Sequence, residues 1–381
     1  MKGPTDAVQG RGSNGITVAF LDRVLDPPSY GFVRNGQLYV PTRSELFREF
    51  FTRINIFQSR KNWLALCGWL VVLFFAPFFF AFFIHYFTFK LLVIGFIYSM
   101  VLLGTHGTIY LHRYSTHHAF TFSNRFWLFI VRNLVLKIIP EEVYVISHHV
   151  HHYLPEKPGD PYNVHAGWLY CFLADVNHQS IARDLSPEDY IRTAKLVSHA
   201  GVKPNSYAQY QKWGSICNPV RTFFSFTLNW AFWFGAFYLL GGMPLVMGIF
   251  GMSAVWAVGI RTYNFEGHGR GKDSRKEGVD FNRSDLSINQ PWPGMVTGEW
   301  HNNHHLYPNG SRAGFLTYQW DFAWLFIRFY HFIGGIDTYR DFKEDFMELH
   351  YKPYLAQKQA SHLSNQDASL EDGKTIHSKS I

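Results

Sequence analysis

Residues 91–118 read LLVIGFIYSMVLLGTHGTIYLHRYSTHH. The first part of this stretch, 91–111, contains no Asp, Glu, Lys or Arg. About 20 consecutive apolar residues cross a bilayer as a helix, so this run predicts a membrane span. The second part brings His112, His117 and His118 together directly where the run ends. A span that ends in clustered histidines places metal-capable side chains at the membrane surface.

Outward from this stretch, residues 62–89 and 222–260 are also free of Asp, Glu, Lys and Arg, the latter interrupted by Gly241, Gly242 and Pro244. Together the runs predict four spans, at about 63–86, 91–111, 222–240 and 244–260. The first two join near Lys90 and the last two at Gly241-Gly242-Met243, which makes two tight hairpins with almost no positive charge. The N-terminal region, residues 112–221 and residues after 261 share the other face and carry nearly all the Lys and Arg. Such an excess marks the cytoplasmic side. The expected architecture is an all-α integral membrane protein: four transmembrane helices in two hairpins, with a cytoplasmic helical cap. The expected division is 1–61 as a cytoplasmic N-terminal region, 62–357 as the membrane and catalytic domain, and 358–381 as a polar tail, read as disordered from its Ser, Gln, Asp and Lys content. Thr42-Arg43-Ser44-Glu45 reads as a capping box, with Leu46, Phe47, Phe50, Phe51 and Ile54 following at helical spacing. That helix is expected either on the membrane interface or against the cap.

Composition narrows the function. The chain has 381 residues, a net charge of +7, 18% aromatic residues and 37 Phe. The charge suits anionic headgroups or an anionic substrate. No basic stripe or nucleic-acid-binding motif is present, so nucleic acid is not an expected partner. The three cysteines, Cys67, Cys171 and Cys217, form no CxxC pair, which argues against a disulfide framework, a zinc ribbon or an iron–sulfur site. Met1–Gly15 lacks the apolar core of a signal peptide. Histidine, at 20, is the abundant metal-capable residue.

Two further clusters accompany the first: His148-His149-Val150-His151-His152 and His301-Asn302-Asn303-His304-His305. The span topology puts all three on one membrane face. On a helix, residues i, i+3 and i+4 share a face, so His148, His151 and His152 are expected to point at one centre, as are His301, His304 and His305. His149 falls about 100° away and His118 is read as a non-ligand. His112 and His117 are five apart and diverge on a straight α-helix, so the helix end is expected to bend or unwind. Eight histidines exceed what one metal holds, which implies two metals; imidazole suits Zn, Cu, Fe and Ni, and an all-histidine pair points to redox chemistry.

The clusters resemble the HxxxxH, HxxHH and HxxHH boxes of membrane fatty acyl desaturases, over roughly residues 60–345. Glu299-Trp300-His301-Asn302-Asn303-His304-His305-Leu306-Tyr307-Pro308 is similar to the third box of the stearoyl-CoA-type delta-9 branch, and Asp160-Pro161-Tyr162-Asn163 and Gly167-Trp168 resemble segments after its second box. Asn264 and His268 stand at the spacing of that branch's NxxxH motif. The resemblance implies two iron ions held by His112, His117, His148, His151, His152, His268, His301, His304 and His305, with Asn264 acting through a water. It also implies O2-dependent insertion of a cis double bond, at delta-9, into a long-chain saturated acyl group.

Where the branch has Arg-Asp before its second box, this chain has Ile146-Ser147; the branch's Arg-Ala within the box is His149-Val150 here. The paired arginines after Asn163 are missing. Those positions belong to the CoA-headgroup surface, so the acyl carrier stays open between CoA, a lipid and a carrier protein. Electrons are expected from a separate cytochrome b5 or ferredoxin with its NAD(P)H reductase, with Arg113, Arg270 and Lys272 as candidate docking residues. Tyr98, Met100 and Trp256 are candidates for the wall of an acyl channel between spans two and four. A hydroxylase on the same scaffold is the alternative reading, and a non-catalytic metal-binding protein a remoter one. The membrane is expected to be a bacterial inner membrane or the endoplasmic reticulum.

Overall fold

The computed structural model describes residues 19–177 and 181–363. Most of the polar tail and the first 18 residues lie outside the described residues. The described chain is mostly helical. Three helices are long and apolar enough to cross a membrane: Arg60–Tyr86, Phe89–Thr116 and Pro219–Gly267. Within them, α2 (Trp63–Ala81) runs on to Tyr86, and α3 (Phe89–Leu102) continues as a π-helix, Leu103–Thr116. The joint falls at Phe87–Thr88, where the Thr88 hydroxyl caps α3 by accepting from the Leu91 N–H at 3.2 Å. The joint is close to Lys90, which lies in the first turn of α3.

The third long helix, α9 (Pro219–Gly259), is broken at Gly241 (φ −158°, ψ 16°) and Gly242 (φ 66°, ψ −167°). A positive φ at Gly242 has little cost without a Cβ. The Phe234 and Phe250 ring centroids are 5.9 Å apart, whereas sixteen residues of straight helix would separate them by about 24 Å. The chain therefore folds back at the two glycines. The helices meet through small residues. A Cβ on Gly95 would lie 2.6 Å from the Gly248 carbonyl oxygen, and one on Gly251 would lie 3.0 Å from the Phe79 Cα. Close backbone approach of this kind is how helices pack where hydrophobic burial offers little advantage over lipid.

The rest of the chain builds a cap. The preceding helix α1 (Arg43–Ile54) begins at the expected capping box: the Thr42 hydroxyl accepts from the Glu45 N–H, and Glu45 accepts from the Thr42 N–H at 2.8 Å. It buries Leu46 and packs Phe50 edge-on to Trp69 (5.0 Å), while Phe47 and Phe51 stay exposed. One face of this helix thus packs against the rest of the chain, and the other stays exposed. After the π-helix come α4 (Arg125–Asn133), α5 (Glu141–Tyr153), α6 (Trp168–Phe172), α7 (Pro187–Val197) and α8 (Tyr207–Trp213). Beyond α9 lie α10 (Tyr263–Gly267), α11 (Pro291–Thr297), α12 (His301–Leu306) and α13 (Phe322–Phe332). A core of Val145, Ile146, Val150, Tyr190, Val197 and Tyr210 fixes α5 against α7 and α8. A ribbon pairs Phe120–Phe122 antiparallel with Ile336–Tyr339 and closes the cap over the π-helix.

Arg113 does not reach the surface as a docking residue. It is 1% exposed; its guanidinium donates to the Ser311 and Gly298 carbonyls and pairs with Asp321 at 3.1 Å. A charge this deep is retained only with a full set of acceptors, so Arg113 ties the π-helix to the chain around α12.

Candidate metal centre

Four segments bring histidines together. The first is the π-helix. His112 and His117 do not need a bend or unwinding to meet, as the sequence reading expected. The helix widens instead, and the His117 N–H donates to the His112 carbonyl at 3.1 Å, an i+5 bond. That spacing stacks residues five apart, and the two rings lie 4.9 Å apart. Such turns recur at functional sites.

Helices α5 and α12 carry the two HxxHH boxes, and each box divides between two groups instead of facing one centre. His112, His117, His148, His152 and His304 form one group, and His151, His268, His301 and His305 the other; within each group the ligand atoms lie within 4.8 Å of one another. The reason is helical geometry: i and i+4 are about 40° apart, whereas i+3 and i+4 are about 100° apart. The pair His148/His152 therefore serves the first group and His151 the second. In α12 the pair His301/His305 serves the second and His304 the first. His268 ends α10, its N–H bonded to the Asn264 carbonyl at 3.0 Å. His118 and His149 belong to neither group. His118 is exposed and its ring lies tilted against that of His199 (3.5 Å), and the His149 ring is 6.5 Å from that of His117.

The donor set fits a metal pair. Nε2 atoms face one another at 2.9 Å (His112–His304, His304–His152) and 3.1 Å (His152–His148, His151–His268). With metal–imidazole bonds of about 2.1 Å, nitrogens at right angles sit about 3.0 Å apart, and at the tetrahedral angle about 3.4 Å. The Nε2 atoms of His117, His301 and His305 are buried with no hydrogen-bond partner among the described residues. Burial first, then the neighbouring imidazoles, keeps His117, His148, His152, His268 and His304 well below the usual histidine pKa. They are neutral at pH 7, which is the ligating form.

A carboxylate holds the far side of four rings. Nδ1 of His112 donates to Glu299 (2.9 Å), of His151 to Asp160 (2.9 Å), of His268 to Glu156 (2.8 Å) and of His305 to Asp285 (2.8 Å). This sets the tautomer that leaves Nε2 free for a metal. Burial pushes the Asp285 carboxyl up, but the His305 and His268 imidazoles outweigh it and hold it well below the usual range. Glu156 and Asp285 carry no signal in the sequence, since Glu156 and His268 are 112 positions apart. Glu299 and Asp160 entered the reading only as parts of a resemblance. The asparagines inside the third box are anchors: Asn302 donates to the Ser287 carbonyl (2.7 Å) and Asn303 to the Ala313 carbonyl (2.7 Å). Gly267 lets His301 approach, because a Cβ there would lie 2.8 Å from the His301 ring.

Beside the histidines lies a cavity of about 100 Å³. Leu103, Gly107, Ile138, Ile139, Ala257 and Ile260 form its apolar wall; His112, His148, His301 and Asn264 stand at its polar end. The Phe89–Thr116 and Pro219–Gly267 helices supply part of this wall, but not through the residues named from the sequence. Tyr98 packs edge-on to Phe237 and accepts from the Leu136 N–H at 3.2 Å; Trp256 sits in the core between the long helices; and Met100 is not among the lining residues. Arg270 and Lys272 are exposed, Arg270 paired with Glu266 at 2.7 Å.

Comparison with known proteins agrees with this arrangement. The profile of the fatty acid desaturase family matches residues 88–312. A delta-9 acyl-lipid desaturase 2 of Arabidopsis thaliana is 26% identical over 269 residues, 68% of this chain and 75% of that protein. An sn-1 stearoyl-lipid 9-desaturase of Synechocystis sp. is 23% identical over 318 residues, 79% of this chain and 90% of that protein. With boxes, cavity and matches all in the same region, the chain belongs to the fatty acid desaturase family and is a fatty acyl desaturase, an oxidoreductase.

Proposed function

We propose that the protein inserts a cis double bond at delta-9 of a long-chain saturated acyl group, using O2, two electrons, two protons and a pair of iron ions. The balance is one acyl CH2–CH2 unit and one O2 converted to one CH=CH unit and two waters. The observation that carries this reading is the meeting of nine imidazoles, in groups of five and four, three of which (His112, His148 and His301) line the adjoining cavity.

Nine ligands, His112, His117, His148, His151, His152, His268, His301, His304 and His305, would hold the two metals, and Asn264 would act through a water. When bound, the metals supply the oxidising power that acid–base groups lack toward an unactivated methylene. The chain's own residues do the rest. The apolar wall holds the acyl chain and excludes water, fixing which carbons lie beside the histidines. Glu299, Asp160, Glu156 and Asp285 orient four imidazoles and offset the charge of two divalent ions. Right-angle nitrogen spacing favours iron over tetrahedral zinc.

The acyl carrier in this reading is a lipid. Both named relatives act on lipid-linked chains, and the chain lacks the charged residues of a CoA-headgroup surface. The long helices cross the membrane as four spans in two hairpins, the third helix counted twice because of its break at Gly241–Gly242. The cap and metal centre lie on the cytoplasmic face, where an external cytochrome b5 or ferredoxin supplies the electrons. Elemental analysis of purified protein checks the metal: two irons per chain are expected, and one zinc without iron overturns the reading. Mass spectrometry of saturated lipids supplied to cells expressing the protein checks the outcome. A product two hydrogens lighter supports desaturation, whereas added oxygen without a new double bond means a hydroxylase.

A further inference from the structure

Residues 286–298 carry no Asp, Glu, Lys, Arg or His. They include α11, which leads into the third histidine box. Trp292 at its start is 60% exposed and Met295 is 40% exposed, while Thr297 at its end lines the cavity. The Trp292 ring stacks on Phe96, centroids 6.2 Å apart and planes at 19°. Phe96 belongs to the first half of the Phe89–Thr116 helix, sixteen residues before His112. Trp292 therefore lies beside the interior of that helix, not at its cytoplasmic end.

A second apolar face continues from it. On α13, Phe322, Leu325, Phe329 and Phe332 fall within about 80° of one another around the helix axis. All four are exposed, Phe332 at 85%, while Ala323, Trp324, Ile327 and Tyr330 on the other side are buried. Helix α11 packs against both α3 and α13, and the Trp300 indole N–H donates to the Trp320 carbonyl at 2.8 Å. The only Arg or Lys of α13, Arg328, turns back over the Trp324 and Tyr339 rings (5.5 and 5.8 Å) and away from the stripe. Runs of exposed large apolar side chains are unfavourable in water and mark an interaction surface.

We propose that α11 and α13 enter the bilayer beside the second long helix, so that the cap is embedded on this side and its stripe contacts lipid chains. The surface is continuous, through the Trp292–Phe96 stack, with the exposed side of a helix already read as a span. An uncharged stretch of about 10–14 residues is too short to span and fits a buried core helix or a re-entrant or interfacial segment; the exposure of Trp292 and Met295 argues against the first. Trp320, exposed between α12 and α13, suits the interface, where aromatic rings collect. The inference rests on the reading of the long helices as spans and is independent of the chemistry at the metals.

The test uses the full chain in phosphatidylcholine nanodiscs, with a nitroxide on a single introduced cysteine at Leu325, Phe329 or Phe332, and at Lys272 as an aqueous control. Greater accessibility to O2 than to a water-soluble nickel chelate is expected at the three stripe positions, and the reverse at Lys272. Nickel access equal to the control overturns the proposal. So does low access to both reagents, which means a protein-covered face; disulfide-linked dimers through these positions would identify a second copy as the cover. If a variant fails to fold, the unmodified chain is photolabelled with a diazirine phosphatidylcholine. Adducts on peptides covering 291–297 and 322–332 support lipid contact, and labelling confined to the long helices overturns it.

Discussion

At the scale of single residues, the metal centre depends on atoms that face away from it. Each carboxylate on an Nδ1 holds a ring in place, and losing such a partner elsewhere costs about 10–100-fold in metal affinity or activity. Asp285→Asn and Glu156→Gln are expected to lower activity by that amount with the fold retained, read from turnover beside a circular dichroism spectrum. Removing a ligand costs more. His268→Ala is expected to reduce turnover by more than about 100-fold and bound metal from two ions to one or none, whereas His118→Ala keeps both ions. Full metal content in His268→Ala would remove it from the set. A different buried carboxyl offers a pH test away from the metals. Burial pushes Glu142 up to about 7, although it accepts from the Cys217 N–H at 2.7 Å. Between its ordinary value of about 4.3 and about 7, the folded chain keeps a proton that the unfolded chain has released, so this group's contribution to stability falls as pH rises through that window. Glu142→Gln is expected to raise the melting temperature at pH 8 and change it little at pH 4.5; an equal shift at both would mean that ionisation is not the cause.

At the scale of elements, helix geometry decides which group each histidine joins. The i, i+4 pair and the single i+3 partner separate by rotation about one axis, so α5 and α12 each bridge both groups. The sequence spacing showed that these rings share a face. It did not show the split, because that depends on where the facing helix stands. The π-helix is a similar case: the five-residue gap between His112 and His117 signalled an irregularity, but bending, unwinding and widening all relieve it. Widening keeps the His117 N–H bonded to the His112 carbonyl inside the buried segment. Packing between the long helices depends on glycine. Gly95→Leu would drive a side chain into the Gly248 carbonyl; overpacking of this kind costs about 1–3 kcal/mol and is expected to lower the thermal unfolding midpoint in detergent. Gly267→Ala is expected to displace His301 and lower metal content with little change in that midpoint.

At the scale of the whole molecule, the centre binds the cap to the long helices, since His112 and His117 come from the second long helix, His268 follows the third, and the other six come from the cap. Ligands bound only by the folded state stabilise it by mass action. Stripping metal with a chelator is therefore expected to lower the melting temperature and raise hydrogen exchange in α5 and α12 together; exchange in α12 alone would mean that the groups load independently. By itself the sequence determined the helical class, the long apolar helices, the clustering of eight histidines and the two that do not take part. Hydropathy and helical spacing are local properties, and each is visible within a few turns of chain. Only the tertiary structure decided the division into five and four, the four carboxylates behind the rings, the burial of Arg113 and the residues that line the cavity. His268 with Glu156 shows why. Their contact spans 112 positions, and no local pattern records which distant segment folding will bring to a histidine.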